Sequence, residues 1–577
     1  MEIVGDYAIM NNSKAATPVM RQFWEAKKQY PNSILLFRMG DFYETFDEDA
    51  KLASNILGIT LTKRANGAAS SVPLAGFPYH SLDQHLYKLL NNGYRVAICE
   101  QVEDPKKSKG IVKREVVEVL SPGTAISEKY LSGTENNFLG SIVFSEHSVG
   151  IALIDYSTGE FKCGEWQLSE TSNILDRYSV NEILISESQK ELIEPIIKNK
   201  DILLTEIPDF STDIDTAYEV LINHFKTKSL KGYGIENITL AISASGAACN
   251  YIKNNYLGNM DHITSINKII DSDILGLDAF TIKNLEIFNS LSGLDKGTLI
   301  NVIDKTTTFM GSRQLKSWIK RPLNSIDRIV DRQQKVTNYF SNDNLRNDTI
   351  DALRQVSDID RIVARLSTNK SNPRDVINLL RSLKVIDELK RITPKKIKTL
   401  TKLLMSSNNL DKLSLRIEKT IKSDCSANFN KAGYIKDGFS KELDSLRTIS
   451  SNVNEWLVRM QLSEQKKTGI PSLKVGYNKV FGYYIEITKT HIDKVPDYYI
   501  RKQTLTNAER FFTTELKEHE VEILSSEEKI QQLEQSIFES LRQDILKNAL
   551  YIQQNAEILS QIDIYSSLAH IALSNNY

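Results

Sequence analysis

The sequence predicts a multidomain protein that combines α/β domains with a long helical region, the α/β plus α class. Its 577 residues correspond to three to five domains at ~100–200 residues each. Helix and strand patterns alternate in the N-terminal part, whereas no glycine occurs between Gly311 and Gly433, which is typical of long helices. The composition, 41% apolar and 25% charged, is that of an ordinary soluble protein.

The first elements predict a small α/β domain that ends near residue 128. A helix over 18–29 leads into an apolar strand over 34–43. An amphipathic helix over 81–92 comes later, and a strand over 94–100 follows it at once. This alternation of helix and strand is typical of an α/β domain.

Three apolar segments predict a second, separate α/β domain that extends to about residue 270. They span 138–144, 149–156 and 159–166, and short turns join them. We therefore expect a meander of three strands followed by helical stretches.

From residue 271 onward the pattern is that of long helices. Only three prolines interrupt the stretch without glycine. A near-heptad seam of mostly apolar residues runs over 443–460, and a matching apolar stripe runs over 530–545. Two long helical arms therefore flank the segment between them.

That segment, at about 470–512, is short, aromatic and β-like in pattern. Residues 474–478 and 481–487 alternate like strands around Gly482. Between 474 and 510, seven Lys and Arg residues stand against four Asp and Glu residues, a local charge of +3. A solvated sheet face can carry the same pattern, but a place at the end of two long arms favours contact with a large partner.

Whole-chain charge and cysteine spacing argue against several classes of function. The 72 basic and 73 acidic residues give a net charge of −1, whereas a nucleic-acid binder usually shows a basic bias. The four cysteines lack the spacing of a zinc site, and we expect buried, reduced thiols. Neither a signal peptide nor an apolar run approaching ~18 residues is present, so we expect a cytoplasmic protein.

A second basic island contains no acidic residue. It consists of Lys106, Lys107, Lys109, Lys113 and Arg114. It is open to two interpretations, a mobile solvated loop or a contact with DNA.

Phe42 and Glu44 form the most informative pair of side chains in the sequence. In an extended chain they point the same way, because residues two apart share a face. An apolar ring of this kind can enter the minor groove of a duplex, unstack a base step and kink the DNA. The alternative is a core phenylalanine beside a solvated glutamate.

Several strings of the sequence occur together in one known family. The first domain contains, in order, Gly40-Asp41-Phe42-Tyr43-Glu44, Leu61-Thr62-Lys63-Arg64, Pro73-Leu74-Ala75-Gly76-Phe77-Pro78-Tyr79-His80, Val96-Ala97-Ile98-Cys99-Glu100-Gln101 and Ser121-Pro122-Gly123-Thr124. These resemble the mismatch-recognition domain of the MutS family of DNA mismatch repair proteins. Strings that resemble the family's lever and clamp are Met310-Gly311-Ser312-Arg313 with Trp318 and Arg321-Pro322-Leu323, Val475-Gly476-Tyr477-Asn478 with Gly482-Tyr483-Tyr484-Ile485, and Arg501-Lys502-Gln503-Thr504-Leu505 with Asn507-Ala508-Glu509-Arg510.

The resemblance covers essentially the whole chain and implies five segments. Residues 1–128 would form the mixed α/β mismatch-recognition domain, and 129–270 a connector domain with a ribonuclease H-like fold. Residues 271–444 would form the first part of the helical lever. Residues 445–512 would form a small β-rich clamp inserted between the arms, and 513–577 the second part of the lever.

The resemblance also implies which residues contact DNA. In the recognition domain, Phe42 would be the wedge that stacks on the unpaired base, Glu44 its partner acid, and Arg64 and Leu74 would lie near the minor groove. The clamp residues that would contact the backbone are Asn478, Arg501, Lys502 and Asn507. The sequence departs from the family at Thr506, where relatives often carry Lys, and at Lys502, where they often carry Arg, so the strength of these contacts is open.

Members of this family end with an ATPase domain, and its phosphate loop, Gly-x-x-x-x-Gly-Lys-Ser/Thr, does not occur in these 577 residues. We therefore expect the chain to handle DNA without catalysing a reaction and to bind no cofactor, whereas the full-length family uses ATP and Mg²⁺. The partners implied are duplex DNA with mismatches or small loops, a second copy in the full-length family, and a MutL-type repair protein. The resemblance implies a bacterial cytoplasmic protein.

Two alternatives remain open at the level of the sequence. The first is a structural protein of the same superfamily that clamps DNA without preferring mismatches. The second is a nuclease that uses the ribonuclease H-like domain, but Asp155 is the only obvious acid in its core strands and 138–144 offers none, whereas such chemistry needs paired acids.

Overall fold

The structure is a computed structural model that describes residues 17–66, 69–103, 112–126, 131–255, 259–293, 296–394, 408–426, 432–478 and 482–577. Contacts divide the chain into two compact units. The first comprises Met1–Ser371, Arg381–Ser406 and Leu546–Tyr577, and the second comprises Asn372–Leu380 and Ser407–Ile545. Three sheets of four or more strands and several long helices confirm the predicted mixture of α/β and helical architecture.

A six-stranded sheet forms the N-terminal part of the first unit. Its elements are α1 (Pro18–Gln29), β1 (Ser33–Met39), β2 (Phe42–Phe46), α2 (Asp47–Leu57), β3 (Thr62–Asn66), β4 (Ala69–Pro78), α3 (Leu82–Asn91), β5 (Arg95–Gln101) and β6 (Arg114–Leu120). The strand order is β3-β4-β2-β1-β5-β6, with β1 and β5 parallel and all other neighbours antiparallel. Phe23 of α1 makes edge-to-face contacts with Phe37 and Phe46 on one side of the sheet.

The single strand predicted over 34–43 is wrong, because the structure divides it into β1 and β2. Gly40 has a φ of +57° and turns the chain, so that Met39 pairs with Phe42 across a tight hairpin. Glycine adopts a positive φ without steric cost. Phe42 therefore begins the second strand, whereas the apolar run that ends at Met39 showed no sign of the reversal.

A second six-stranded sheet follows in the same unit and confirms the predicted meander. Its elements are β7 (Phe138–Phe144), β8 (Ser148–Asp155), β9 (Glu160–Gln167), α4 (Thr171–Tyr178), β10 (Val180–Ser186), α5 (Lys190–Ile197), β11 (Leu203–Ile207), α6 (Ile214–Phe225), α7 (Thr239–Asn255) and β12 (Asn267–Lys268). The order is β11-β10-β7-β8-β9-β12. All four cysteines of the chain are buried thiols outside any disulfide, as predicted.

The remainder of the first unit is helical. Its helices begin with α8 (Ala279–Asn284), α9 (Leu299–Ile303), α10 (Phe309–Lys320), α11 (Ile326–Phe340), α12 (Asp343–Leu353), α13 (Ile359–Ser367) and α14 (Pro373–Ile392), the last of which extends across both units. Helix α10 is capped by Thr308, whose hydroxyl accepts from the Gly311 N–H at 3.0 Å. Such a cap satisfies one of the backbone donors that every helix start leaves without an intrahelical partner.

The second unit contains two long helices and a small antiparallel sheet. Its elements are α15 (Asn408–Thr420), α16 (Lys441–Thr468), β13 (Lys474–Asn478), β14 (Gly482–Thr488), β15 (Ile500–Thr504), β16 (Ala508–Phe512) and α17 (Thr514–Leu546). The strand order is β13-β14-β16-β15. Helices α16 and α17 meet beside the sheet, where the Trp456 and His519 rings are 3.8 Å apart and Leu516 joins the same apolar cluster as Leu457 and Met460.

The last helix of the chain, α18 (Ala549–Ser574), belongs to the first unit and packs against α10, α11, α12 and α13. It is separated from α17 at Lys547-Asn548, in a stretch without glycine or proline, so no signal in the sequence marks this break. No helix in the described part of the chain is both long and apolar enough to span a membrane.

Candidate nucleic-acid interface

Phe42 presents an exposed aromatic ring at the end of the first sheet. Its side chain is 47% exposed, whereas the neighbouring Tyr43 and Phe46 are buried. The β1–β2 hairpin and the pairing of Phe42 with Pro78 fix its backbone on two sides. A large apolar side chain held this way on a rigid strand contributes little to the core and is available to a partner.

Glu44 lies on the same face of β2, two residues further along. Its carboxyl oxygen Oε2 is 2.5 Å from Nη1 of Arg64 on β3. Burial raises the pKa of Glu44, and the opposing charges of Arg64 and then Arg114 offset part of this effect. The structure thus brings two of the predicted site residues, Glu44 and Arg64, into contact, and Phe42 lies two residues from Glu44 on the same face of β2.

Gly76 on β4 makes room for this arrangement. A Cβ at this position would lie 2.9 Å from the Tyr43 carbonyl oxygen and 3.3 Å from Cγ of Glu44. The first distance is too short for the backbone to accept a side chain without moving. A glycine is therefore needed opposite Glu44, and any other residue would displace the strand that carries the carboxylate.

Leu74, the fourth predicted residue of this domain, is half-buried on β4 opposite Phe46. It packs against the apolar cluster that contains Phe23 and Phe37. Its position therefore includes a core contact, and the exposed remainder of the side chain is available to a ligand.

The opposite face of the hairpin carries a polar and aromatic group that the sequence did not single out. The Arg38 guanidinium lies 4.0 Å from the centroid of the Tyr79 ring, which is 46% exposed. The Tyr43 hydroxyl donates to Glu100, and burial together with this acid raises the pKa of Tyr43. Since none of these residues stands in a charge run or a known catalytic spacing, only the strand register brings them together.

The basic island is divided by the structure. Lys106, Lys107 and Lys109 lie outside the described residues, and Lys113 forms an exposed ion pair with Glu115. Arg114 has a structural position on β6, where Nε donates to the Arg38 carbonyl oxygen at 2.6 Å and the guanidinium lies over the Phe37 ring. For Arg114 the interpretation as part of a solvated loop is therefore wrong.

The predicted clamp residues lie on the four-stranded sheet of the second unit. Arg501 on β15 is exposed and pairs with the buried Glu509 of β16. Nζ of Lys502 lies 5.1 Å from the centroid of the Phe512 ring. Asn507 is exposed in the turn between β15 and β16. Asn478 is half-buried at the end of β13. Phe481, which the sequence included in a strand, lies outside the described residues.

A nuclease centre has no counterpart in the described part of the second sheet. Asp155 is fully buried and accepts hydrogen bonds from Ser157, Asn136 and Asn137. Within the described ranges, no group of three His, Cys, Asp or Glu side chains could hold a metal ion. Asp155 thus holds the segment that enters β7 and the turn that follows β8.

Comparisons with known proteins give consistent results along the chain. Residues 17–129 match MutS domain I, residues 137–264 match MutS domain II and residues 280–569 match MutS domain III. The DNA mismatch repair protein MutS of Salinibacter ruber is 40% identical over 571 residues, which cover 98% of this chain and 63% of that protein.

Two further relatives of the same name give similar values. The protein of Flavobacterium psychrophilum is 41% identical over 563 residues, covering 97% of this chain and 65% of its own length. The protein of Cytophaga hutchinsonii is 42% identical over 559 residues, with the same two coverages. The chain thus spans somewhat less than two thirds of the length of these relatives, and it belongs to the MutS family.

Proposed function

We propose that this chain recognises mismatched or small-loop duplex DNA and acts in DNA mismatch repair. The observation that carries the proposal is the exposed Phe42 ring beside the Glu44 carboxyl, within the segment that matches MutS domain I. The relatives named as DNA mismatch repair proteins support the same function.

Phe42 would act as a wedge that stacks on the unpaired base while the duplex kinks. Smooth bending of a site costs roughly 1–6 kcal/mol, and it costs less at a poorly stacked step. Stacking of one base on an aromatic ring contributes about 1–3 kcal/mol. Because these two energies nearly cancel, a small saving at a mismatch decides the outcome, since each ~1.4 kcal/mol is a tenfold change in affinity.

Glu44 would check the base that the wedge contacts. A carboxylate among phosphates is repelled and desolvated, so it adds little to the affinity for an ordinary duplex. It is tolerated if it accepts from a base imino N–H, or if it binds a purine ring nitrogen as the neutral acid. An imino N–H is already engaged in a normal base pair, so this contact requires a displaced base, and Glu44 therefore disfavours matched DNA.

The remaining predicted residues would hold the duplex without reading its sequence. Arg64 and Leu74 would lie at the minor groove, where a cation favours a narrow groove. On the clamp, the side chains that would contact the phosphate backbone are Asn478, Arg501, Lys502 and Asn507. Such contacts position a protein on DNA and carry no base information.

The five segments inferred from the sequence are proposed as the domains that perform these tasks. Residues 1–128 would recognise the mismatch, 129–270 would form the ribonuclease H-like connector, and 445–512 would form the clamp between lever segments 271–444 and 513–577. A second copy of the chain and a MutL-type protein are proposed as partners in the longer relatives. ATP-dependent signalling would need ATP and Mg²⁺ bound in a domain beyond these five segments.

Replacement of Phe42 tests the proposal directly. We expect the wild-type chain to bind a heteroduplex with one unpaired base more tightly than the matched homoduplex. Phe42→Ala should remove the stacking and lower heteroduplex affinity by about 1–3 kcal/mol, to the homoduplex value. Fluorescence anisotropy titrations with both duplexes, at two salt concentrations, measure both effects.

Phe210→Ala is the matched control, because Phe210 is also exposed. It lies between β11 and α6, beside the second six-stranded sheet and outside the proposed interface. The substitution should leave both affinities unchanged. A wild-type chain that binds the two duplexes equally would favour the alternative, a DNA-clamping protein without mismatch preference. Metal-dependent cleavage of either duplex would favour the nuclease.

A further inference from the structure

The ion pair between Glu44 and Arg64 assigns a second role to the arginine. Arg64 is predicted to lie near the minor groove, where it would act on DNA directly. In the structure, however, its guanidinium is directed at a protein carboxylate, with Nη1 2.5 Å from Oε2 of Glu44. The two side chains are 31% and 20% exposed, so the pair is shielded from water on most sides and is stronger than a surface pair.

The two oxygens of the Glu44 carboxyl differ in their surroundings. Oε2 accepts from Arg64, whereas the described residues contain no hydrogen-bond donor to Oε1. The Arg64 guanidinium lies 5.7 Å from the centroid of the Phe46 ring. Phe46 is completely buried, so its ring limits where the guanidinium can lie. Arg64 thus fixes one oxygen of the carboxyl and leaves the other available to a ligand.

The charges around Glu44 come from two strands. Arg64 lies on β3, and Arg114 lies on β6. The strands directly beside Glu44 contribute no charge there, because its partners in the register are Phe37 on β1 and Gly76 on β4. Of the two cations, Arg64 alone is within ion-pair distance of Glu44 in the described structure.

We propose that Arg64 is the positioning residue of Glu44: it holds Oε2 and directs Oε1 towards the base. This inference rests on the proposed function and deepens it. A carboxylate without such a partner would rotate among several rotamers. With Arg64 in place, the Glu44 carboxyl approaches DNA in one orientation. Oε1 then forms a hydrogen bond with a displaced base, but not with a base in a normal pair.

A double-mutant cycle tests this role. The proteins are wild type, Arg64→Ala, Glu44→Gln and the double variant, each titrated with the heteroduplex and the matched homoduplex. If Arg64 acts through Glu44, Arg64→Ala should reduce the heteroduplex preference by about tenfold. The same substitution should then change the preference little in the Glu44→Gln background, because the group that it positions is already altered.

Two further variants separate positioning from charge and from folding. Arg64→Lys keeps a cation that can reach Oε2, so it should restore part of the preference. Lys63→Ala removes the neighbouring exposed cation of the same strand, whose side chain points to the other face, and it should lower both affinities equally or not at all. Thermal melting of every variant shows whether the domain remains folded.

The pH dependence of the heteroduplex preference provides a readout that a purely structural role would not change. Because Arg64 lowers the pKa of Glu44, Arg64→Ala should move the pH at which the preference changes upward. Glu44→Gln should abolish that pH dependence. No movement in the Arg64→Ala variant would overturn the positioning role.

The outcomes distinguish this inference from the proposed function. Equal losses for both duplexes in Arg64→Ala, additive with Glu44→Gln and with a salt slope lower by about 0.9, would show an ordinary phosphate contact and overturn the inference alone. A wild-type chain without heteroduplex preference would overturn the proposed function and this inference together.

Discussion

At the scale of single residues, Glu44 combines burial with a charge, which is unusual both for a core residue and for a surface residue. It is mostly buried, its pKa is raised by that burial, and a glycine on the next strand is needed to make room for it. Burial of a carboxylate costs free energy unless it is paired, and the pairing here is with a single cation, Arg64. Such a cost at one position is typical of a functional site.

We expect Glu44→Gln and Phe42→Ala to reduce the heteroduplex preference by opposite effects. Phe42→Ala should weaken heteroduplex binding, whereas Glu44→Gln should strengthen homoduplex binding. The amide keeps the shape of the side chain and removes its charge, so repulsion from the phosphates falls and homoduplex binding becomes tighter. Titration with both duplexes measures this, with Glu48→Gln on the exposed start of α2 as control. Weaker homoduplex binding by Glu44→Gln would contradict the proposed role.

The sequence predicted that Phe42 and Glu44 share a face of a strand, but it did not predict which residues contact them. Phe42 and Glu44 could be paired because residues two apart share a face of any strand. The partners Arg64 and Gly76 depend on how β3 and β4 align with β2, and this register follows from the packing of side chains along whole strands. The contacts of Arg114 on β6 with Arg38 and Phe37 were missed for the same reason, since its basic neighbours suggested a loop or a DNA contact.

At the scale of elements, the predicted helices and the apolar meander were found within about one residue, because their periodicity is unbroken. The β1–β2 hairpin was missed because one glycine turns the chain between two apolar segments. The break between α17 and α18 was missed because no glycine or proline marks it. Tertiary packing decides such breaks, and single-residue propensities do not record it.

The clamp sheet yields a prediction about binding without discrimination. Replacement of Arg501 and Lys502 by Ala should weaken binding to matched and mismatched DNA by similar factors, because phosphate contacts carry no base information. The salt slope should fall by about 0.9 for each phosphate interaction that is removed. Binding measured across a salt series tests this, with Lys529→Ala, an exposed cation on α17, as control. A reduction confined to the heteroduplex would show that the clamp reads the mismatch.

The start of α10 yields a prediction about stability and pH. Asp563 of α18 is fully buried and accepts from the backbone N–H groups of Thr307 and Thr308 and from the Thr308 hydroxyl. Burial raises the pKa of Asp563 to about 6 from an ordinary value of 3.8. Between these values the folded chain holds a proton that the unfolded chain has released, so this residue favours the folded state increasingly as the pH falls.

Wild type should therefore gain stability relative to Asp563→Asn as the pH falls from above 6 to below 4, by up to about 3 kcal/mol. Calorimetric melting at a series of pH values measures the difference. Asp348→Asn, an exposed aspartate on α12, is the control and should show no such trend. A constant difference between wild type and Asp563→Asn would show that Asp563 keeps its ordinary pKa in the fold.

At the scale of the molecule, contacts distant in sequence organise the first unit. Two buried arginines of the helical region hold the segment that joins the two sheets. Arg361 donates to the carbonyl oxygens of Ser132 and Glu135, and Arg313 donates to that of Gly133 at 2.8 Å while pairing with Asp358. Arg313 was predicted only as part of a family string. No pattern in the sequence connects residues so far apart along the chain, so this organisation required the structure.

A search of the whole sequence for a phosphate-binding loop yields a prediction about ATP binding. The 577 residues contain no Gly-x-x-x-x-Gly-Lys-Ser/Thr string, which in other proteins supplies the backbone N–H groups and the lysine that hold phosphates. We therefore expect ATP with Mg²⁺ to produce no saturable heat in calorimetry and to leave heteroduplex affinity unchanged. A protein that contains the Gly-x-x-x-x-Gly-Lys-Ser/Thr string, titrated in parallel, is the control. Saturable binding to this chain, or phosphate release above a blank, would reveal a nucleotide site built from other residues.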